Sequence, residues 1–261
     1  MKKLTLFFAL LLCVTCIAVA QLKLYVYQND GTRTEFVAST VDSIAFSTIA
    51  NPDQPDDPVK PIDPTNGYEY VDLGLPSGTL WATMNVGATS PEDYGDYFAW
   101  GETVPKAEYS WSTYKWCNGS VTTLTKYCIN SYYGDVDNKT VLDLSDDAAN
   151  ANWGGYWRMP TNAEQDELGN TSYTTWTWTT LNGVKGCKVT SKTNGNSIFL
   201  PAAGYRGSSL NDAGSFGYYY GSLLYTDCSD VAYRLSFGSI SVGSSFTSRC
   251  YGLSVRPVMS K

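Results

Sequence analysis

The clearest indication of the fold is the run Val231-Ala232-Tyr233-Arg234-Leu235-Ser236-Phe237, in which bulky apolar side chains alternate with small or polar ones. Successive side chains of a β-strand point to opposite faces, so this alternation predicts a strand with one buried face and one solvated face. After Gly238, the apolar residues Ile240 and Val242 continue the pattern. We therefore expect an antiparallel hairpin near the C-terminus, with the apolar residues of its first strand pointing inward.

Outward from this run, turn-forming Gly, Ser, Thr and Asn residues divide the chain into short segments with few helix signals. Thr161-Asn162-Ala163-Glu164 has the capping-box pattern and predicts a helix that ends before Gly169. Ser145 and Asp146 predict a second helix over residues 144–150. The other segments predict strands at 79–82, 176–180, 186–190, 197–200, 231–237, 239–242 and 252–258. Few helices among many short strands predict an α+β domain.

The first 20 residues have the composition of an export signal. Two lysines precede an apolar run over residues 4–17, and Ala18-Val19-Ala20 is a small-x-small cleavage motif. We expect cleavage after Ala20 and a secreted or cell-surface protein. The apolar run is too short to span a membrane and no second long one follows, so no membrane span is expected. Lipidation at Cys16 stays open as an alternative.

Two regions with different compositions separate the signal from the main domain. Within residues 21–50, extended runs at 22–27 and 34–37 flank Asn29-Asp30-Gly31, which predicts a β-hairpin. This hairpin either serves assembly or adds a layer to the main domain. Within 51–66, Pro recurs at every third position among acidic residues, which predicts an extended polyproline II linker. The main domain is then expected over residues 67–261.

Charge and composition exclude several functions. The net charge is −7, and an acidic surface argues against nucleic acid as a partner because phosphate binding needs clustered Lys and Arg. The chain contains no His, which removes the commonest general base and the commonest metal ligand. The acidic residues between 135 and 147 lack the glycine and the ligand spacing of a calcium loop. We therefore expect no catalytic residues, no metal and no cofactor.

Five cysteines follow the predicted signal, at positions 117, 128, 187, 228 and 250. An odd number leaves at least one thiol unpaired, and none of the spacings is that of a zinc site. Cys117 and Cys128 flank the turn signal Asn118-Gly119 and form the candidate disulfide for an oxidising compartment. The alternative is that all five cysteines are reduced and partly buried.

A Tyr-rich segment over residues 204–251 suggests where a ligand would bind. It holds seven Tyr, eleven Ser and seven Gly but no Lys, the mixture found in antibody-like recognition surfaces. The predicted ligand-binding residues are Tyr218, Tyr220, Tyr225, Asp227, Ser229 and Asp230. The alternative is that Ser and Gly fill the turns of a sheet while the tyrosines at 218–220 pack in the core.

Five phrases of the sequence resemble those of a known family. They are YVDLGLPSGTLWA (70–82), YFAWGE (97–102), WGGYWRMPT (153–161), LPAAGYR (200–206) and GLSVRPV (252–258). Together they resemble the Fibrobacter succinogenes major paralogous domain family of exported bacterial domains, and the resemblance implies a C-type-lectin-like fold over residues 67–261. The tryptophans in these phrases are predicted to be core anchors rather than ligand platforms. They are Trp81, Trp100, Trp153 and Trp157.

The resemblance implies a secreted or surface-displayed ligand-binding module, adhesin-like in its recognition of an extracellular glycan or protein. Some proteins with such a C-terminal segment resemble targets of diversity-generating retroelements, which would diversify exposed positions in this segment. Two other functions stay open because a fold does not determine a ligand. One is a structural cell-envelope or filament subunit. The other is a formylglycine-generating-like enzyme, for which Cys228 and Cys250 lack the required close spacing.

Overall fold

The computed structural model describes residues 23–27, 33–37 and 63–261. The predicted signal peptide (1–20), the turn predicted at 29–31 and residues 51–62 of the predicted linker lie outside the described residues. The chain divides between Val59 and Lys60 into two units, which are treated separately. Within the described residues, no helix combines the length and the apolarity needed to cross a membrane.

The described part of the first unit is a two-stranded antiparallel hairpin. Strand β1 (Lys23–Tyr27) pairs with β2 (Arg33–Val37), with Lys23 opposite Val37 and Tyr27 opposite Arg33. This pairing confirms the hairpin that the two extended runs predict. A hairpin of two strands is only marginally stable by itself in water.

The second unit is built from small antiparallel sheets with few helices. Its strands are β3 (Tyr70–Asp72), β4 (Leu80–Ala82), β5 (Thr174–Leu181), β6 (Val184–Ser191), β7 (Ser197–Pro201), β8 (Tyr205–Arg206), β9 (Leu210–Asn211), β10 (Gly217–Leu224), β11 (Val231–Phe237), β12 (Val242–Ser248) and β13 (Val258–Met259). Three sheets have the strand orders β13-β4-β3, β5-β6-β7 and β10-β11-β12, and β8 pairs with β9. This architecture agrees with the predicted α+β class, or with a mostly β domain.

Two short helices begin at capped residues. Helix α2 (Asn162–Gly169) has Thr161 as its cap, and the full capping box with Glu164 confirms the helix that the sequence predicts here. Helix α1 (Ala148–Trp153) begins at Asp147, whose carboxylate accepts two backbone N–H groups of the first turn.

The helix predicted over residues 144–150 is therefore wrong in its bounds. Residues 144–146 form a single 3₁₀ turn, and α1 begins only at Ala148. The physical reason is that Asp147, rather than Ser145, supplies the capping carboxylate. The second oxygen of Asp147 also accepts the Met159 N–H at 2.8 Å, which fixes the cap against a distant part of the chain.

The C-terminal strands agree only in part with their predicted bounds. Strand β11 spans residues 231–237 as predicted, but the strand predicted at 239–242 is wrong, because the Gly238 N–H donates to Ser241 O at 2.9 Å and closes a turn. Strand β12 therefore begins only at Val242. Of the strand predicted at 252–258, only the last residue belongs to a strand, since residues 252–254 each make a single bridge with a different partner.

The core consists of three clusters of buried side chains. The four tryptophans of the family-like phrases are all buried, so their prediction as core anchors is confirmed. Two of them also donate hydrogen bonds to distant backbone carbonyls: Trp100 Nε1 to Gly221 O at 2.9 Å, and Trp157 Nε1 to Thr65 O at 2.6 Å. These bonds satisfy the polar end of each ring inside the core.

The last residues of the predicted linker belong to the domain. Pro64 O accepts the Tyr156 N–H at 3.0 Å, Thr65 O accepts the indole of Trp157, and Asn66 Nδ2 donates to Trp153 O at 2.6 Å. The predicted boundary at residue 67 is therefore too late, because residues 63–66 are hydrogen-bonded along helix α1 and the turn that follows it. Composition alone assigned them to the linker because they continue its Pro and Asp pattern.

Candidate functional site

The six predicted ligand-binding residues separate into a buried set and a surface set. Tyr218, Tyr220 and Ser229 are buried. Asp227 is exposed, and Tyr225 and Asp230 are partly exposed. The prediction of one recognition surface made by all six residues is therefore wrong, and the surface set is what remains of it.

Strand β10 buries its tyrosines because it has a core cluster on each face. Tyr218 and Tyr220 pack in the cluster around Trp100, whereas Tyr219 packs on the opposite side in the cluster around Leu235. The Tyr220 hydroxyl lies 2.9 Å from Ser248 O and 3.1 Å from Tyr251 O, to which it can donate. Such a side chain supports the fold and cannot meet a ligand.

The surface set lies on the loop between β10 and β11, which spans residues 225–230. The Tyr225 N–H donates to Val231 O at 3.1 Å, and the Cys228 N–H donates to Tyr225 O at 3.3 Å, so the loop closes on itself. Ser229 is the buried anchor of this loop, because its hydroxyl accepts the N–H of Ile129 at 3.0 Å. The bond ties the loop to a second loop, at residues 129–134.

Aromatic side chains gather beside the first loop. Tyr225 stacks on Phe246 of β12, with ring centroids 4.4 Å apart and an interplanar angle of 22°. Tyr233 of β11 meets the Tyr225 ring edge-on at 5.3 Å. Phe246 is 51% exposed, so this stack forms part of the surface. Val231 and Tyr233 were predicted to point inward with the other apolar residues of β11, but both are only partly buried, whereas Ala232 on the face predicted to be solvated is fully buried.

The second loop adds two more tyrosines. The rings of Tyr132 and Tyr133 meet edge-on at 5.1 Å, and Tyr132 is 71% exposed. The Tyr133 phenol interacts with Cys228 and Asp230 of the first loop. The hydrogen bond with Cys228, followed by partial burial and the negative charge of Asp230, raises the pKa of the Tyr133 phenol to about 12. The two loops therefore form one continuous surface.

We call this surface the two-loop surface. Its members are Tyr132, Tyr133, Tyr225, Asp227, Asp230 and Phe246. Sequence reasoning found three of them and missed both tyrosines of the second loop and Phe246. The signal at 130–134 was the same mixture of Asn, Ser, Tyr and Gly that marked residues 204–251, but it lay outside that segment.

Buried Arg249 holds both loops in place. Its Nη1 donates to Tyr127 O at 2.8 Å and to Ser229 O at 2.9 Å, and its Nη2 donates to Lys126 O at 3.0 Å. The backbone N–H of Arg249 donates to Asp230 O at 3.0 Å. A single guanidinium thus links the chain just before the second loop to the first loop, and it gives the two-loop surface a rigid base.

Arg249 carries its charge without an acidic partner among residues 63–261. Its Nε donates to the Tyr114 hydroxyl at 2.9 Å, and the guanidinium carbon lies 5.0 Å from the centroid of the Trp100 ring. Carbonyl oxygens and ring faces therefore stabilise the buried cation. This role could not be predicted from local sequence, where Arg249 is an isolated charge between Ser248 and Cys250.

The carboxylates of the two-loop surface carry uncompensated charge. Among the described residues, neither Asp227 nor Asp230 forms an ion pair, whereas Asp143 pairs with both Lys126 and Lys139 at 2.7 Å. A hydrogen bond to Asp227 raises the pKa of the Tyr225 phenol. The surface therefore presents negative charge beside exposed aromatic rings.

The candidate disulfide between Cys117 and Cys128 is not formed. All five cysteines from 117 to 250 are free thiols. Cys117 pairs instead with Leu124 in a β-bridge, so the turn closes before Cys128 is reached. The Cys117 thiol donates to Trp111 O at 3.1 Å and the Cys128 thiol donates to Asn130 O at 3.2 Å. Burial raises the pKa of the Cys187 and Cys250 thiols to about 12, so these two are poor nucleophiles.

A shallow cleft elsewhere on the domain is a weaker candidate site. Its volume is about 410 Å³, and Glu92, Asp93 and Asp96 are among its lining residues. Asp93 already accepts hydrogen bonds from Thr89 and Ser90, and Glu92 accepts one from Asn182. In the described part of the chain, no three Cys, Asp or Glu side chains are grouped so that they could hold a metal ion.

Comparison with known proteins adds no relative. None of the family models, curated proteins or solved structures compared with the chain matches it. The geometry of the two-loop surface is therefore the main observation that bears on function. It brings together aromatic rings, carboxylates and a rigid base.

Proposed function

We propose that this protein is a secreted or surface-displayed ligand-binding module that recognises its ligand through the two-loop surface. The exposed stack of Phe246 on Tyr225, beside the unpaired carboxylates of Asp227 and Asp230, is the observation that carries the proposal. Aromatic side chains supply contact area at low conformational cost, and they dominate recognition surfaces for that reason. A glycan and a protein both fit this description of the ligand.

The way the surface is built supports the proposal. Binding residues are commonly found on loops that a rigid scaffold positions. Here the scaffold is the buried guanidinium of Arg249 together with Ser229, which hold the two loops by direct hydrogen bonds. The side chains above them are free to meet a partner without disturbing the core.

The proposal includes a fold and a location. We propose a C-type-lectin-like domain akin to the Fibrobacter succinogenes major paralogous domain family, on the strength of the five sequence phrases and the small antiparallel sheets. The export signal predicted at residues 1–20 supports the proposal of a place outside the cytoplasm. We propose binding rather than catalysis, because the chain has no His to serve as the commonest general base.

Binding arrays with a pair of double variants test the proposal. The wild-type protein is probed on a glycan array and on a tiled peptide array, next to Tyr225→Ser/Phe246→Ser. The matched control, Tyr70→Ser/Tyr156→Ser, removes two exposed rings elsewhere on the domain. We expect the wild type and the control to bind the same spots and the two-loop variant to lose them. Equal binding by all three proteins would contradict the proposal.

A structural subunit is the second candidate. Strand β12 lies at the edge of its sheet and pairs only with β11, and such an edge can add a strand from another chain. Sedimentation velocity distinguishes the two functions. A structural subunit forms concentration-dependent assemblies and binds no spot on either array, whereas a binding module stays at one size and binds.

A further inference from the structure

We propose that the two-loop surface binds the guanidinium group of an arginine side chain in a protein ligand. The inference rests on the proposed function, because it names the ligand class for the same surface. It has two independent supports on the domain, which are carboxylates without an ion pair and aromatic rings that no cation of the described chain covers.

The first support is the charge of the surface. Asp227 and Asp230 pair with no Lys or Arg of the described chain, although other acidic groups nearby are paired with lysines. A neutral ligand would cover these two carboxylates without compensating their charge, which costs free energy. A guanidinium compensates the charge and offers paired N–H donors that match a carboxylate.

The second support is the contrast with the other aromatic rings of the domain. Cations of the chain lie over several of them: Arg234 over Tyr218 at 4.1 Å, Lys126 over Trp116 at 4.8 Å, and Arg249 over Trp100 at 5.0 Å. Within residues 63–261, none lies over the rings of the two-loop surface. A cation over an aromatic face is attracted by the negative charge of the ring face, and arginine also stacks on it by its plane.

The overall charge of the chain also favours a cationic ligand. With a net charge of −7, the protein attracts cationic partners over a longer range than the contact itself. A sugar would also stack on Phe246 and donate hydroxyl groups to the carboxylates. It would gain nothing from the charge, however, so the observations favour arginine.

A titration with a pair of peptides tests this inference. The probes are Ac-Gly-Arg-Gly-Arg-Gly-NH₂ and the same peptide with citrulline, which is neutral and nearly isosteric with arginine, in place of both arginines. Binding is followed through the backbone amide signals in ¹⁵N-labelled protein. We expect the arginine peptide to shift the amides of residues 129–134 and 225–231. The citrulline peptide should bind at least about fivefold more weakly, and the affinity for arginine should fall as the ionic strength rises.

Two double variants test whether binding of the arginine peptide depends on the carboxylates of Asp227 and Asp230. Asp227→Asn/Asp230→Asn should weaken binding of the arginine peptide by about fivefold or more. Glu69→Gln/Glu108→Gln removes the same charge from two exposed positions outside the two-loop surface and should change the affinity by less than about twofold. The amide spectra themselves show that each variant is folded.

The outcomes separate this inference from the proposed function. Three results would each overturn the arginine assignment. They are equal affinity for the arginine and citrulline peptides, undiminished binding by Asp227→Asn/Asp230→Asn, and no shift of the amide signals of the two loops. If the arrays then give a neutral glycan that binds through Tyr225 and Phe246, the proposed function stands and only the ligand class is wrong. If neither the arrays nor the peptide engage the surface, both proposals fail.

Discussion

Tyr220 and Tyr225 belong to one Tyr-rich and Ser-rich segment, yet they lie in opposite environments. Tyr220 is fully buried and its hydroxyl contacts two backbone carbonyls, whereas Tyr225 borders an exposed loop and stacks on a half-exposed ring. Composition treats the two residues alike. The difference shows that composition can indicate a segment in which a ligand could be bound. Which residues of that segment can bind depends on whether other parts of the domain bury their side chains.

The buried region is covered from both sides. On one side of β10, Gln165 of α2 donates from Nε2 to Tyr219 O at 3.0 Å. Gly217 and Gly221 keep β10 close to its neighbours, since a side chain at Gly217 would collide with the Phe237 ring. The 225–230 loop has no comparable cover above its side chains, although Arg249 supports it from below.

The largest expected effect comes from removing the support that the two loops share. Arg249→Met leaves the carbonyls of Lys126, Tyr127 and Ser229 without a buried donor, so we expect a loss of about 5 kcal/mol of unfolding free energy. Amide hydrogen exchange should accelerate first at residues 126–133 and 225–231. Urea unfolding and exchange mass spectrometry measure the two effects.

Arg206→Met is the matched control for this substitution. Arg206 is partly exposed and its guanidinium lies over the Tyr97 ring at 5.2 Å, so its loss should cost only about 1 kcal/mol. If the two variants were equally stable, the loops would be held by packing alone, and Arg249 would not be the base of the surface.

An intermediate loss of stability is expected at low pH, and it comes from the buried carboxylate of Glu164. Burial alone would raise the pKa of Glu164, but hydrogen bonds from Arg158, Thr161 and Thr79 outweigh it and lower the pKa to about 2. Because the folded pKa lies below the unfolded one, this stabilisation is present above about pH 4.5 and is lost as the pH falls toward 2. Between pH 7 and pH 3 the loss should be about 2 kcal/mol.

Glu164→Gln shows whether this residue is the cause. The variant should be less stable than the wild type at pH 7, because Gln cannot form the ion pair with Arg158. Its stability should then change less between pH 7 and pH 3. Urea unfolding at the two pH values checks this, and an undiminished acid loss in the variant would assign the effect to other carboxylates.

The smallest change in stability is expected from a substitution on the exposed loop. Asp227→Asn should change the unfolding free energy by less than about 0.5 kcal/mol, because Asp227 is exposed and forms no ion pair within the described residues. The same change should lower the pKa of the Tyr225 phenol toward its ordinary value, since the hydrogen bond to Asp227 is the main cause of the rise. A ¹³C NMR titration of the tyrosine rings measures this pKa, and an unchanged value would mean that the two groups do not interact.

Two elements could be predicted correctly from local signals. The alternation of Val231 to Phe237 and the capping box at Thr161 depend on residues within one strand or one helical turn, and both elements have the expected type and place. The strand predicted at 239–242 was wrong because a tight turn at Gly238 uses residues with the same apolar alternation.

The candidate site could be predicted only in part, because it depends on contacts between distant segments. Asp227 and Asp230 lie in the loop between β10 and β11 and were found from local composition. For Tyr220, local composition left open both a binding role and a place in the core, since its burial depends on packing from elsewhere in the chain. The support from Arg249 joins residues more than a hundred positions apart and leaves no local pattern in the sequence.

Equilibrium unfolding of Tyr220→Ala and Tyr225→Ala tests the contrast between the two regions most directly. Tyr220→Ala removes a fully buried ring and its hydrogen bonds, so it should lower the unfolding free energy by about 3–5 kcal/mol. Tyr225→Ala removes a ring at the surface and should cost about 1 kcal/mol. A difference of about 2 kcal/mol or more between the variants is the result predicted here. Equal losses would contradict the account, because the 225–230 loop would then be part of the packed core and not a surface for a ligand.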